Sequence, residues 1–217
     1  MSAPDVAVID YGVGNLLSVE RAFSRIGATV AVCTDADAIL AAPRVVLPGV
    51  GAFAAAIAEL RRRGLDDVVR TAANRGTPVL GICLGMQLLM DSSQEFGSHA
   101  GLGLIRGQVV AVPSTTTAGD AQKIPHIGWN SLHPAAAGRS WNGPLLDHVR
   151  EGDEVYFVHS YMATPSDPDH TLATCSYGGR AVTAVIGRNN VIGCQFHPEK
   201  SGAVGLRILK GFLAMAA

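Results

Sequence analysis

The sequence has 217 residues, of which 48% are hydrophobic and only 16% are charged, and its formal net charge is -1 at pH 7. A chain of this length and composition can bury a large core, so we expect a single domain over residues 1–217. The balanced charge, with no run of basic residues longer than Arg61-Arg62-Arg63, argues against nucleic acid as a partner.

Four cysteines lie far apart in the chain: Cys33, Cys83, Cys175 and Cys194. They form none of the CxxC or Cys/His pairs of metal and redox sites, so we expect no metal, no cofactor and reduced thiols. Asp5 and Asp10 bracket the short hydrophobic run near the N-terminus, and no uncharged apolar stretch is long enough to span a membrane. We therefore expect a cytoplasmic protein without membrane contact.

The first half of the chain alternates short β-branched runs with helical patterns, which predicts βα units and a mainly parallel sheet. Apolar residues recur at helical spacing from Leu16 to Ile26, and Gly27 is placed to end that helix. Two more helices are predicted at 52–63 and 65–74. The predicted strands, all expected to be buried on both faces, are Val6 to Ile9, Thr29 to Cys33, Val45 to Leu47 and Val79 to Ile82.

After about Ser98 the pattern changes to strands with little helix between them, which predicts a smaller antiparallel element in the C-terminal half. The predicted strands are Val109 to Val112, Val155 to Val158, Ala181 to Ile186 and Val191 to Phe196. Asn189-Asn190 is a candidate hairpin turn because Asn tolerates positive φ, and residues 204–215 predict a closing amphipathic helix. The predicted loops 115–120 and 135–142 match no functional pattern.

Gly81-Ile82-Cys83-Leu84-Gly85 places a cysteine between two glycines, where a buried strand meets a helical run from Leu84 to Met90. This is the form of a nucleophile elbow, whose strained backbone leaves no room for flanking side chains. A helix N-terminus favours the thiolate, and the N–H of Leu84 can donate to an oxyanion. The alternative is a buried structural cysteine, which is the interpretation favoured for the other three cysteines.

A thiol nucleophile needs a base, and His197-Pro198-Glu199 follows the strand predicted to end at Phe196. Residues two apart at a strand end project to the same side, so Glu199 is placed to orient His197; alone, the tripeptide also fits an exposed turn. Pro48-Gly49-Val50-Gly51 ends the third strand at the edge where parallel sheets place active sites. It is either a second oxyanion donor or only a strand-to-helix turn.

Taken together, six segments in this order resemble the class I (triad) glutamine amidotransferase family and, within it, the glutaminase subunits of imidazole glycerol phosphate synthase. The segments are Asp10 to Asn15, Pro48 to Phe53, Gly81 to Gln87, His126 to Asn130, Tyr156 to Tyr161 and Gln195 to Lys200. The resemblance implies a flavodoxin-like doubly wound sheet and L-glutamine as the substrate. It also implies a heterodimer with a (βα)8-barrel cyclase subunit that consumes the ammonia.

The resemblance further implies roles for individual residues. Cys83 is the implied nucleophile, His197 the acid and base, and Glu199 the group that orients His197. The implied oxyanion donors are the backbone N–H groups of Val50 and Leu84. The implied glutamine-binding residues are Gly51, Gln87, Glu95, Ser160 and Tyr161.

Four residues match family positions that face the partner: Asn15, Trp129, Tyr156 and Lys200. Their structural alternatives are a helix cap, a core aromatic, a strand aromatic and a solvated lysine. Three other functions stay open. These are a glutaminase for anthranilate, pyridoxal phosphate or guanylate synthesis, a partner-independent thiol hydrolase or peptidase, and a non-catalytic binding module on the same fold.

Overall fold

The computed structural model describes residues 4–135, 141 and 145–216, so most of the loop predicted at 135–142 lies outside the described residues. The helices are α1 (Leu16–Arg25), α2 (Ala36–Ala41), α3 (Phe53–Arg62), α4 (Leu65–Asn74), α5 (Leu84–Leu88) and α6 (Gly202–Leu213). The strands of the first half are β1 (Val6–Ile9), β2 (Val30–Cys33), β3 (Val45–Gly49), β4 (Val79–Cys83), β5 (Met90–Ser93), β6 (His99–Ala100) and β7 (Ile105–Ala111). Those of the second half are β8 (His126–Ser131), β9 (His133–Pro134), β10 (Glu154–His159), β11 (Tyr161–Pro165), β12 (Thr171–Tyr177), β13 (Arg180–Arg188) and β14 (Val191–Cys194).

The main sheet has the strand order β2-β1-β3-β4-β14-β13-β12-β9. Its first five strands are parallel and follow the flavodoxin-like order, whereas β13, β12 and β9 pair antiparallel with their neighbours. Strand β14 joins the two parts because it is parallel to β4 and antiparallel to β13. The predicted α/β fold class, a mainly parallel sheet with a smaller antiparallel element, is confirmed.

Helices cover both faces of this sheet. On one face α1 and α6 pack together through Phe23 and Phe212, whose ring centroids are 6.2 Å apart. On the other face α2, α3 and α4 bury residues such as Ile39, Leu60 and Val69. Burying each such side chain contributes roughly 1.5–3 kcal/mol, so the two layers fix the strands whose carboxyl ends carry the site.

Two smaller sheets stand beside the main one, and they bring further strands toward the site. Strands β8 and β10 form an antiparallel pair, and β11, β7, β5 and β6 form a four-stranded sheet in that order. The predicted strand at Val109 to Val112 corresponds to the end of β7, which stops at Ala111. Asn189, between β13 and β14, has φ 55, which confirms the predicted hairpin turn.

Three sequence-based expectations need correction. Strand β2 is not buried on both faces: Val32 is 42% exposed, because β2 is the edge strand. The helix after Cys83 ends at Leu88, and Met90 already belongs to β5. The last strand ends at Cys194, before the predicted Phe196.

Helix α2 is not predicted from the sequence. It has only six residues and buries a single hydrophobic side chain, Ile39, so it has no apolar periodicity to detect. Its one local signal is Asp35, whose carboxylate accepts a hydrogen bond from the Ala38 N–H at 2.9 Å.

Across the described ranges, none of the helices combines the length and the apolar character that crossing a membrane requires.

Candidate active site

Cys83 lies at the end of β4, with φ 55 and ψ -111, and α5 begins at the next residue. Positive φ is strained for a residue with a side chain, which is the geometry expected of a nucleophile elbow. The flanking glycines allow α5 to approach the sheet. A Cβ on Gly81 would lie 2.7 Å from the Gly85 oxygen, and one on Gly85 would lie 1.8 Å from the Leu47 oxygen. Both glycines are therefore required by close backbone packing.

The segment Pro48-Gly49-Val50-Gly51 is held against this elbow. The Tyr11 hydroxyl donates to the Pro48 oxygen at 2.8 Å, and burial together with the charge of Cys83 raises the pKa of Tyr11, so the hydroxyl stays protonated. A Cβ on Gly49 would lie 2.8 Å from that hydroxyl and 2.9 Å from the Gly85 nitrogen. Only glycine fits between them, so the loop before α3 is fixed next to the start of α5.

His197 and Glu199 form a buried pair, with 2.8 Å between Nδ1 and Oε1 and side-chain exposures of 3% and 1%. The contact was predicted, but the local structure was not: Pro198–Lys200 is a 3-10 turn rather than an extended strand end. Ser201 stabilises the turn, because its hydroxyl donates a hydrogen bond to the His197 oxygen at 2.6 Å. The His197 N–H donates to the Tyr156 oxygen at 2.9 Å, which links the pair to β10.

The charge of His197 is set by opposing effects. Burial disfavours its protonated form, but hydrogen bonds to Cys83 and Glu199, together with their negative charges, outweigh burial and raise the pKa of His197 to about 9. Nδ1 is engaged by Glu199, so Nε2 is the ring nitrogen available to Cys83. At neutral pH the site therefore holds an imidazolium beside the cysteine sulfur.

A pocket of about 310 Å³ opens over Cys83 and His197. It is lined by Val50, Gly51, Cys83, Leu84, Gln87, Glu95, Pro125, Val158, His159, Ser160, Tyr161 and His197. Every residue expected to act as nucleophile, base, oxyanion donor or glutamine ligand is in this lining, and Glu199 lies directly behind His197. Pro125, Val158 and His159 line the pocket as well; Val158 and His159 lie in the segment Tyr156 to Tyr161, but the sequence predicts no role for any of the three.

Two of the expected glutamine ligands also hold the protein together. Gln87 donates both amide hydrogens, to the Tyr161 oxygen and to Gln195 Oε1, each at 3.0 Å, so its own carbonyl oxygen remains for a ligand. The Glu95 carboxylate accepts a hydrogen bond from the Phe53 N–H at the start of α3. Glu95 thus puts a negative charge on the pocket wall where a helix N-terminus stabilises it.

A buried histidine pair supports the pocket wall, and its tautomers follow from its contacts. The Tyr161 oxygen can only accept, so His159 donates from Nδ1 at 2.9 Å and leaves Nε2 as an acceptor. His126 therefore donates from Nδ1 to His159 Nε2 at 3.0 Å, and Asn130 donates to His126 Nε2 at 3.3 Å. Burial lowers the pKa of each ring to about 4, so both are neutral. Both histidines stand in segments that carried the resemblance, but their contact follows only from the β8–β10 pairing.

The four residues expected to face a partner lie in different surroundings. Trp129 is 54% exposed and its ring centroid is 6.0 Å from that of the half-buried Tyr156 on the paired strand, so Trp129 is not a core aromatic. Asn15 is the N-cap residue of α1, but its side chain makes no capping hydrogen bond. Lys200 is exposed on the 3-10 turn.

The model of the class-I glutamine amidotransferase family matches residues 7–215. The chain belongs to this family, and the resemblance inferred from the six segments is confirmed. A crystal structure titled as a glutamine amidotransferase superposes with a TM-score of 0.71 at 16% identity, over 96% of this chain and 97% of that one. PurLQS from Thermotoga maritima gives a TM-score of 0.70 at 18% identity over 98% of both chains. At these identities the two structures support the fold alone.

The curated relatives are more specific. Imidazole glycerol phosphate synthase subunit HisH 1 of Legionella pneumophila (strain Lens) is 50% identical over 208 residues, which is 96% of this chain and 98% of the relative. The subunit HisH of Geobacillus thermodenitrificans is 49% identical over 210 residues, 97% of this chain and 95% of the relative. The subunit HisH of Lactococcus lactis is 44% identical over 208 residues, 96% of this chain and 97% of the relative.

Proposed function

We propose that this chain is the glutaminase subunit of an imidazole glycerol phosphate synthase, which hydrolyses L-glutamine to glutamate and ammonia. The observation that carries the proposal is the pocket in which Cys83 meets His197, with Glu199 behind and Glu95 on the wall. The carboxylate of Glu95 matches the α-ammonium of glutamine. The named relatives support the pathway, because they are nearly full-length matches to subunits of that synthase.

In the first half of the reaction, the Cys83 thiolate attacks the side-chain amide carbon of glutamine. The C–S bond forms as the carbonyl electron pair moves to oxygen, and this oxyanion accepts hydrogen bonds from the N–H groups of Val50 and Leu84. One such donor is worth roughly 10²–10³ in rate. The His197 imidazolium then gives its Nε2 proton to the amide nitrogen, the C–N bond breaks, and ammonia leaves a thioester on Cys83.

In the second half, a water molecule attacks the thioester carbon and His197 takes a proton from it. The new tetrahedral oxyanion accepts hydrogen bonds from the same two N–H groups. As it collapses, the C–S bond breaks, so that glutamate is released, the thiolate of Cys83 re-forms and His197 is again protonated. Glu199 holds the imidazole in the orientation that both proton transfers require.

The ammonia goes to a cyclase subunit, a (βα)8 barrel, in the proposed heterodimer. Free ammonia in bulk water would be protonated, so a docked partner and a dry passage between the two sites are needed. Trp129 and Tyr156, with Asn15 and Lys200, form the proposed partner-facing surface. A cytoplasmic location belongs to the same proposal and is supported by four cysteines that are all in the free thiol form.

The test is glutamate release from glutamine by the purified chain, alone and with a histidine-pathway cyclase and its nucleotide substrate. We expect strong stimulation by the cyclase, loss of turnover in Cys83→Ala, and weaker stimulation in Trp129→Ala with the fold unchanged. Partner-independent turnover of simple esters would instead support a thiol hydrolase. No turnover with the cyclase present would overturn the proposal.

A further inference from the structure

Gln195 is a buried amide next to the cysteine sulfur, and the reaction described above does not use it. It directly follows β14, whose residues Gly193 and Cys194 pair in parallel with Gly81 and Ile82 of β4. This register places Gln195 beside Cys83 across the sheet. The residue is 0% exposed, and its Nε2 lies 3.7 Å from Cys83 Sγ.

The direction of the Gln195 amide follows from its neighbours. The backbone oxygen of Tyr161 can only accept, so the Gln87 atom 3.0 Å away is Nε2. The second hydrogen of that nitrogen then goes to Gln195, so the Gln195 atom facing Gln87 is Oε1. The other end of the Gln195 side chain, the NH₂ donor, must therefore face the sulfur.

We propose that Gln195 is a further catalytic residue, whose side-chain amide donates a hydrogen bond to the Cys83 thiolate. The proposal rests on the proposed function, in which that thiolate is the nucleophile and later the leaving group. The thiol and the thiolate of Cys83 form hydrogen bonds with different groups. The Val158 oxygen, 4.0 Å from Sγ, can accept only from the protonated thiol, whereas the Gln195 amide donates best to the anion.

This donor adds to the stabilisation by His197, which is protonated at both stages at which the sulfur is a thiolate. His197 must pass its proton to the leaving nitrogen in the first half of the reaction and take one from water in the second. Gln195 is neutral and keeps its hydrogens in every step, so it stabilises the thiolate both before attack and as the C–S bond breaks. In a site shielded from water, such a fixed donor is stronger than the same contact in solvent.

The test compares Gln195→Met, which keeps the size of the side chain but has no donor, with Cys194→Ala as a matched control in the same strand. Cys194 Sγ donates to the Gly81 oxygen at 3.8 Å rather than to Cys83. Iodoacetamide alkylation of Cys83 is followed over a range of pH by mass spectrometry of its peptide, so that the rate profile gives the pH at which the thiolate forms. We expect the midpoint of this profile to rise by about one pH unit in Gln195→Met, the effect of losing one hydrogen bond to the charged thiolate, and not to move in Cys194→Ala.

The shape of the profile separates this role from a structural one. A loosened site would change the alkylation rate at every pH, whereas loss of the donor moves the midpoint to higher pH. If Gln195→Met does not fold, Gln195→Asn serves instead, because its shorter side chain keeps an amide but withdraws it from the sulfur. An unchanged midpoint of the profile, in a folded variant, would overturn the proposal. The assay uses no glutamine, so its outcome is independent of whether the proposed hydrolysis is correct.

Discussion

Lowering the pH from 7 to 5 should destabilise this protein through the buried pair His126 and His159. Both rings are almost inaccessible, at 2% and 6% exposure, and burial lowers the pKa of each to about 4. The ordinary histidine pKa is about 6.5, so the unfolded chain takes up protons that the folded chain does not. A histidine with a lowered pKa stabilises the fold above pH 6.5, and this contribution is lost as the pH falls toward 4.

The size of the effect follows from the same values. At pH 5, a ring whose pKa moves from about 6.5 to about 4 on folding costs about 2 kcal/mol of stability. Protonating His159 would also place an N–H opposite the His126 donor, across a contact of 3.0 Å. His197, whose pKa is raised to about 9, gains about 1 kcal/mol over the same range, so we expect the free energy of unfolding to fall by about 2–3 kcal/mol between pH 7 and pH 5.

Urea unfolding at pH 7, 6 and 5, followed by circular dichroism, measures this loss. The informative variant is His126→Gln, which removes one titrating ring while its amide can still donate to His159. We expect this variant to lose about a third as much stability as the wild type over the same pH range, because the opposing contribution of His197 is unchanged. Wild-type stability that is equal at pH 7 and pH 5, or an equal loss in the variant, would refute the reasoning.

Two further predictions concern the elbow and its base. Gly85→Ala should cost about 3 kcal/mol or more, because its Cβ would lie 1.8 Å from the Leu47 oxygen. At Gly76 the φ of +86 is unfavourable for alanine but the space around a Cβ is open, so Gly76→Ala should cost only about 1 kcal/mol; equal losses in urea unfolding would contradict this. The rate at which glutamine acylates Cys83 should stay constant up to about pH 9 and fall above it, because protonated His197 is the proton donor to the leaving nitrogen. A rate that already falls near pH 7 would show that another group donates the proton.

The features predicted correctly from the sequence are those encoded by neighbouring residues. The βα units of the first half follow from short β-branched runs, and the glycines at 81 and 85 follow from the room that an elbow needs. Asn189 was identified as a turn residue because its side chain tolerates φ 55. In each case one local requirement selects the residue, so no knowledge of distant contacts is needed.

The features that were missed depend on contacts between distant residues. Val32 has the sequence context of a buried strand, and its exposure follows only from the position of β2 at the sheet edge. Strands β6 and β9 have two residues each, too few for any period. The second roles of Gln87 and Glu95, in binding the Tyr161 oxygen and the Phe53 N–H, likewise join segments far apart in the chain.

The site depends most on a register that no single segment contains. The Asn189-Asn190 turn fixes the register of β14 against β13. Strand β14 pairs at the same time with β4. A shift of one residue would turn every side chain of β14 to the opposite face of the sheet. Gln195 would then face away from Cys83, and His197 would leave the pocket. The sequence identifies the chemical groups at both strand ends, but the hairpin turn between β13 and β14 decides that they meet.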